Sequence, residues 1–447
     1  MKIGFIPIDN RPVCYTLPKQ IADIDKNIEF FIPERNLLGS LEKYADTDGI
    51  FEWIKTLPKL DAMVVSLDTI AYGGLIPSRR RTDGFNEIKK RIDDFKRIIN
   101  AEKIYAFSSI MRISNNNINQ EEKEYWASYG KKIFEYSYNL DKYGTTETDL
   151  PSDILDDYTK TRERNFEINK IYLEWQKEGF FDTLVFSKDD CAQFGLNVRE
   201  AKELERLGGF VKTGADEIPL TLLARAINKK IKIKPVFLEP EFTTLISNYE
   251  DVSVEKSVLG QLDLGGFEIS DTPDLTLYIN NFKEHQGEIV MKVPTKEFSG
   301  VWEAPQGPYM IADVRFANGG DNALVGQFKP FGENFYGYSA WNTTANTLGS
   351  LLCAAKIKYN AEKTLTPNPS LKERGAENFK KLQITRLLDD WAYQANVRQM
   401  LEKPDSEQCK KLMKPFEEKV FKLVGMRADI SYSFPWNRLF EVEIEFN

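Results

Sequence analysis

The sequence predicts an α/β fold: mostly parallel strands in two α/β units, followed by a C-terminal helical region. Three observations carry that expectation. Short apolar runs recur along the chain, each followed by a helix-like stretch, the signature of βα repeats. The runs read as buried parallel strands. Polar and charged residues gather just behind them, at the carboxyl ends where α/β proteins hold their ligands.

The strand candidates come in order. Lys2 to Ile8, Ile28 to Ile32, Ala62 to Leu67, Lys103 to Ser108, Thr183 to Ser187 and Gly209 to Thr213 form the first set. Phe85 to Ile99, Asn197 to Leu207 and Ile218 to Ile227 supply helices; in the first, apolar residues recur near every 3.6 positions. A polar, tyrosine-rich insertion over about 115–177 separates the fourth and fifth strands and reads as a helical cap or as packing helices. Strands Pro235 to Glu239, Leu275 to Ile279, Tyr309 to Val314 and Phe335 to Ser339, with a helix from Val254 to Leu262, make a second unit. The boundaries expected are 1–230, 231–345 and a helix-rich 346–447 that closes on a strand-like tail. The first set of strands is compatible with a barrel as well as with an open sheet, and the site is expected in a cleft.

A 447-residue chain with 42% apolar and 12% aromatic residues buries a real core, and its net charge of -8 argues against binding a phosphate backbone. Arg79-Arg80-Arg81 is local and reads as a solvated loop. The first apolar run reads as a strand rather than a secretory segment, and no apolar stretch is long enough to span a bilayer. Four scattered cysteines without a CxxC motif suggest reduced thiols in the cytoplasm. The single histidine, His285, sits in a polar stretch; multi-histidine metal sites are excluded, as is the usual Ser-His-Asp triad. Proton transfer would fall to carboxylates, lysine or tyrosine.

The motifs follow the strands. The first ends in Asp9-Asn10-Arg11-Pro12, where Asp9 and Arg11 could pair with each other, or Arg11 could hold a substrate oxygen by its planar fork. The third runs into Asp68 and on to Tyr72-Gly73-Gly74, a tight turn or a close approach to ligand, and no standard nucleotide loop occurs. Arg112 follows the fourth. Asp189-Asp190 follow the fifth and Asp216-Glu217 the sixth, with helix capping as the plain alternative for one member of each pair. Asp313 leads into Asn318-Gly319-Gly320-Asp321-Asn322, whose backbone N–H groups could hold an anion. Trp341-Asn342-Thr343 offers either an indole platform with amide and hydroxyl groups for a sugar, or a buried tryptophan beside a helix cap.

Asn10-Arg11-Pro12, Asp189-Asp190, Gly214-Ala215-Asp216-Glu217, Asn318 to Asn322 and Trp341-Asn342-Thr343, with Asp390 to Gln394 and Phe434 to Arg438, together resemble an uncharacterised bacterial family catalogued as a domain of unknown function. The resemblance covers essentially the whole chain and implies no activity.

The function expected from the residues is a carboxylate-based glycoside hydrolase acting without a cofactor on a small carbohydrate. Its candidate substrate is an N-acetylated hexosamine glycoside, because adjacent acids after a strand look like the pair of substrate-assisted hexosaminidases. On that analogy Asp190 is the general acid and Asp189 orients the acetamido group, with Asp216 and Glu217 as further acids. Asp9, Asn10, Arg11, Asp68, Tyr72, Arg112, Asp313, Asn318, Asp321, Asn322, Trp341 and Asn342 are substrate-binding candidates. One alternative is a hydrolase or isomerase using Mg²⁺ or Mn²⁺ on Asp189, Asp190, Asp216, Asp313 and Asp321. The other is a carbohydrate-binding protein without catalysis.

Overall fold

A computed structural model describes residues 1–189, 192–227, 229–364 and 369–447. The chain divides into two compact units. The first comprises Met1–Asn10, Glu29–Leu222 and Tyr249–Asp251; the second comprises Arg11–Ile28, Leu223–Asn248 and Val252–Asn447.

The first unit is built on six strands: β1 (Lys2–Ile6), β2 (Glu29–Phe31), β3 (Ala62–Ser66), β4 (Ile104–Ile110), β5 (Thr183–Lys188) and β6 (Val211–Thr213). All pair in parallel, in the order β2-β1-β3-β4-β5-β6. The sheet is open, which removes the barrel alternative. Its central strands are apolar throughout because both faces are covered: every residue of β3 and β4 is buried.

The stretch after β4 is largely helical. Helices Trp126–Tyr143 and Ser152–Lys177 form there, and Trp126, Ile133 and Tyr158 cluster with Met111 and Ile113. The longer helix also packs on β4 and β5, where Asn169 accepts from the Ser108 hydroxyl at 2.7 Å and donates to the Ser109 carbonyl at 3.2 Å.

The second unit holds β7 (Lys232–Phe237), β8 (Glu268–Ile269), β9 (Leu275–Asn280), β10 (Gly287–Glu288), β11 (Tyr309–Asp313), β12 (Phe316–Ala317) and β13 (Phe335–Ser339). Five of them form a parallel sheet ordered β13-β11-β9-β7-β8, and β10 pairs with β12. Helices Val254–Leu264 and Thr344–Lys363 share its apolar core through Val258, Leu262, Leu348 and Leu352, packed with Leu277, Ile279 and Met310. The C-terminal helices Pro369–Arg386 and Ser406–Val424 flank a π-helical turn, Leu387–Tyr393. The chain closes on an antiparallel pair, β14 (Ile430–Ser433) and β15 (Glu443–Phe446).

Among the described residues, no helix is long and apolar enough to cross a membrane. His285 is exposed; Cys14, Cys353 and Cys409 are buried and form no disulfide among the described residues, whereas Cys191 lies outside them.

Candidate functional site

The carboxyl edge of the first sheet collects the charged groups that the motifs deliver. Asp9 follows β1, Asp68 follows β3, Arg112 follows β4, Asp189 follows β5 and Asp216-Glu217 follow β6. The strand order reverses at β1, and open α/β sheets bind ligands outside the strand ends at such a reversal. Carboxylate oxygens of Asp9 and Asp216 lie within 4.8 Å of each other.

Among the described acids that follow these strands, Asp189 is the one that is not fully buried. Its side chain keeps 24% of its surface, so a ligand can reach it. Burial pushes its carboxyl above the usual range; Arg112 pulls it back down, and the charge of Asp216 pushes it up again. Arg112 Nη1 lies 3.4 Å from Asp189 Oδ2. The rest of that guanidinium is committed elsewhere: Nη2 to Glu121 Oε2 at 2.7 Å and Nε to Glu122 Oε1 at 3.2 Å. Beside Asp189, the Lys188 ammonium pairs with Asp251 Oδ2, and Asp251 Oδ1 accepts from the Thr213 hydroxyl at 3.0 Å. Asp190 lies outside the described residues.

Asp68 sits in the first turn of helix Leu67–Tyr72, where Ser66 caps the N-terminus through the Thr69 N–H. Its Oδ2 accepts from the Ser109 N–H at 2.8 Å, tying the ends of β3 and β4 together. Burial raises its carboxyl to about 7 despite that hydrogen bond. The Tyr72 hydroxyl is buried without a hydrogen-bond partner among the described residues, and burial raises its pKa above the ordinary tyrosine range. Gly73 and Gly74 make the tight turn: both have positive φ, and a Cβ on Gly74 would lie 3.0 Å from the Ile8 carbonyl oxygen. Asn10 is held through its backbone, donating to the Gly39 carbonyl and accepting from Arg35 Nε. Glu217 is buried just ahead of helix Ile218–Ala226.

The remaining candidates belong to the second unit. There the charged groups at the strand ends saturate one another. Asp313 accepts from Asn280 Nδ2 at 2.8 Å, from the Asp321 N–H at 2.7 Å and from the Tyr338 hydroxyl at 3.1 Å. Burial, then the charge of Asp321, pushes Asp313 up to about 7. Arg315, with 0% exposure, bridges Glu239 at 2.9 Å, Asp321 at 3.4 Å and the Asn280 amide oxygen at 3.0 Å.

The Asn318–Asn322 loop spends its N–H groups internally: Asn318 on the Asn342 carbonyl, Gly320 on the Asp390 carbonyl and Asp321 on Asp313. Asp321 caps helix Asn322–Gly326, Asn342 sits at positive φ, and the Asn322 amide oxygen accepts from Trp391 Nε1 at 2.7 Å. Trp341 retains 3% of its surface and meets Phe440 edge to face. Arg11 lies 3.6 Å from Glu441 and 5.1 Å from the Trp436 ring.

A family model matches residues 3–445, nearly the whole chain. The chain belongs to that family, described as "Protein of unknown function (DUF4127)". No curated protein and no solved structure matches it.

In this DUF4127 protein the arginine run departs from its expected place on a solvated loop. Arg79 ends up with 1% side-chain exposure on helix Leu75–Arg80, because Glu122 at 3.1 Å and Glu121 at 3.5 Å neutralise it. Those two glutamates and Asp251 belong to none of the sequence motifs. In sequence the two glutamates show only as a doublet of acids nine and ten residues beyond Arg112, with nothing to pair it to the arginine run. Asp9 and Asp216 could contribute two carboxylate oxygens to a Mg²⁺ or Mn²⁺ ion, which keeps several waters of its own.

Proposed function

We propose that the DUF4127 chain is a carboxylate-based glycoside hydrolase whose proton donor is Asp189. The observation that carries this reading is a solvent-reachable carboxyl held above the usual range by burial and by neighbouring Asp216. Glycosidases depend on such a pair, one acid kept protonated and one kept charged. Asp189 would give its proton to the glycosidic oxygen as the bond to the anomeric carbon breaks. Asp216 would face the positive charge that develops on the sugar; water would then bond through its oxygen to the anomeric carbon and return a proton to Asp189. In this reading Asp189 takes the acid role that the sequence motif suggested for Asp190, which lies outside the described residues. N-acetylated hexosamine glycosides remain the first candidate substrates.

A library of aryl glycosides tests the reading. Asp189→Asn should lower kcat/KM on the responsive substrate by about 10²–10⁴-fold. Equal hydrolysis by parent and variant would end it. A sugar that binds and is recovered unchanged would favour a binding protein, and activity abolished by EDTA and restored by Mg²⁺ would favour the metal-dependent alternative.

A further inference from the structure

We infer that Glu121 and Glu122 are positioning residues for Asp189, acting through Arg112. The inference deepens the hydrolase reading and rests on it for the reason Asp189 matters. The geometry begins on helix Leu75–Arg80. Arg80 grips the loop by its backbone, donating to the carbonyls of Leu41 at 2.8 Å, Glu122 at 3.1 Å and Gln120. Arg79 binds the Glu121 and Glu122 side chains at 3.5 and 3.1 Å, and the Glu121 carbonyl at 3.3 Å. The same two carboxylates then take Arg112 Nη2 and Nε, which leaves Nη1 directed at Asp189.

Charge counting gives the arrangement its purpose. An arginine dedicated to one aspartate holds that aspartate ionised, lowering its proton affinity by one to three pH units. Among the described residues, two guanidinium groups face three carboxylates, Glu121, Glu122 and Asp189, so Arg112 is already largely neutralised when it reaches Asp189. Its contact with Asp189, at 3.4 Å, is also longer than those with Glu121 and Glu122. Arg112 therefore orients the Asp189 carboxyl without stripping its proton. Among the described residues, Asp216, Arg79 and Glu121 also bear on Asp189, while adjacent Lys188 is committed to Asp251.

The test needs no turnover. The full chain is labelled at the aspartate γ-carbons, and the Asp189 resonance is assigned by its loss in Asp189→Asn. Its titration is then followed by NMR in Glu121→Gln and Glu122→Gln. Removing either negative charge returns Arg112 to Asp189, so the midpoint should fall by about one pH unit in each variant. A midpoint that stays put or rises in the folded variants overturns the inference. Glu121 is the more exposed of the two (22% against 5%), so Glu121→Gln carries the test if Glu122→Gln does not fold. If no glycoside is ever hydrolysed while the midpoint still falls, the hydrolase reading fails and the positioning role stands. If glycosides are hydrolysed while the midpoint stays unmoved, the positioning role fails and the hydrolase reading stands.

Discussion

The two parallel sheets of this protein end alike in sequence and unlike in structure. Each presents acids, an arginine and amides at the carboxyl ends of its strands. In the first, Asp189 keeps 24% and Arg112 16% of their side-chain surface, and the charges are partly solvated. In the second, Arg315 and Asp321 keep none, and Asn280, Asp313, Asp321, Tyr338 and Glu239 satisfy one another. Position at a strand end therefore does not define a site. An edge whose polar groups close on themselves specifies packing; an edge with a reachable carboxyl of raised proton affinity has chemistry to offer.

The largest expected difference lies in the arginines. Arg315→Met strands the buried carboxylates of Glu239 and Asp321 and should cost roughly 3–5 kcal/mol. Arg112→Met leaves Glu121 and Glu122 still bound by Arg79 and should cost about 1–2 kcal/mol. Urea titrations of both variants check the order. A larger fall in midpoint for Arg112→Met would dissolve the distinction between the sealed and the open edge.

Asp68 and Asp313 sharpen it further, since burial holds both at about 7. A carboxyl whose folded value is raised stabilises nothing by ionising. Its folded state is unpenalised below the unfolded value near 4, and stability is lost as pH rises from there through 7. For Asp68 the loss should be on the order of 4 kcal/mol. Asp68→Asn mimics the protonated form and still accepts from the Ser109 N–H, so it should be more stable than the parent at pH 8 and equal to it near pH 4. Asp313→Asn should show no such gain, because both Asp313 oxygens accept hydrogen bonds and an amide nitrogen would face a donor. Thermal melts at the two pH values decide; parallel behaviour of the two variants would contradict the account.

Much of the fold was legible because it is written in local pattern. The apolar runs at Ala62–Ser66, Thr183–Lys188 and Tyr309–Asp313 are strands, since continuous burial on two faces leaves that signature. The open sheet was not legible, because closure depends on which strands pair and periodicity is the same either way. Nor was the assignment of Arg11–Ile28 to the second unit, which no composition change marks.

At the site, Asp189, Asp216 and Arg112 could be read from their places behind strands. Arg79, Glu121 and Glu122 could not, because their meaning arises only when a helix before β4 meets a loop after it. Trp341 was ambiguous in principle: a stacking platform and a core indole have the same neighbours in sequence, and only burial separates them.

Asp251 is the most distant of these and supports the smallest prediction. It belongs to a three-residue segment, Tyr249–Asp251, that the chain returns to the first unit after completing β7. Its carboxylate takes the Lys188 ammonium and the Thr213 hydroxyl, linking the ends of β5 and β6 beside Asp189. Both partners are partly exposed, at 13% and 22%, so water competes for the pair and its net worth should be small. A double-mutant cycle on Lys188→Met and Asp251→Asn should give a coupling of about 0.5–1 kcal/mol in urea titrations. A coupling of roughly 3 kcal/mol or more, the range of a buried pair, would mean that this edge is sealed like the other. The partly solvated character that sets it apart would then be lost at the very residue next to Asp189.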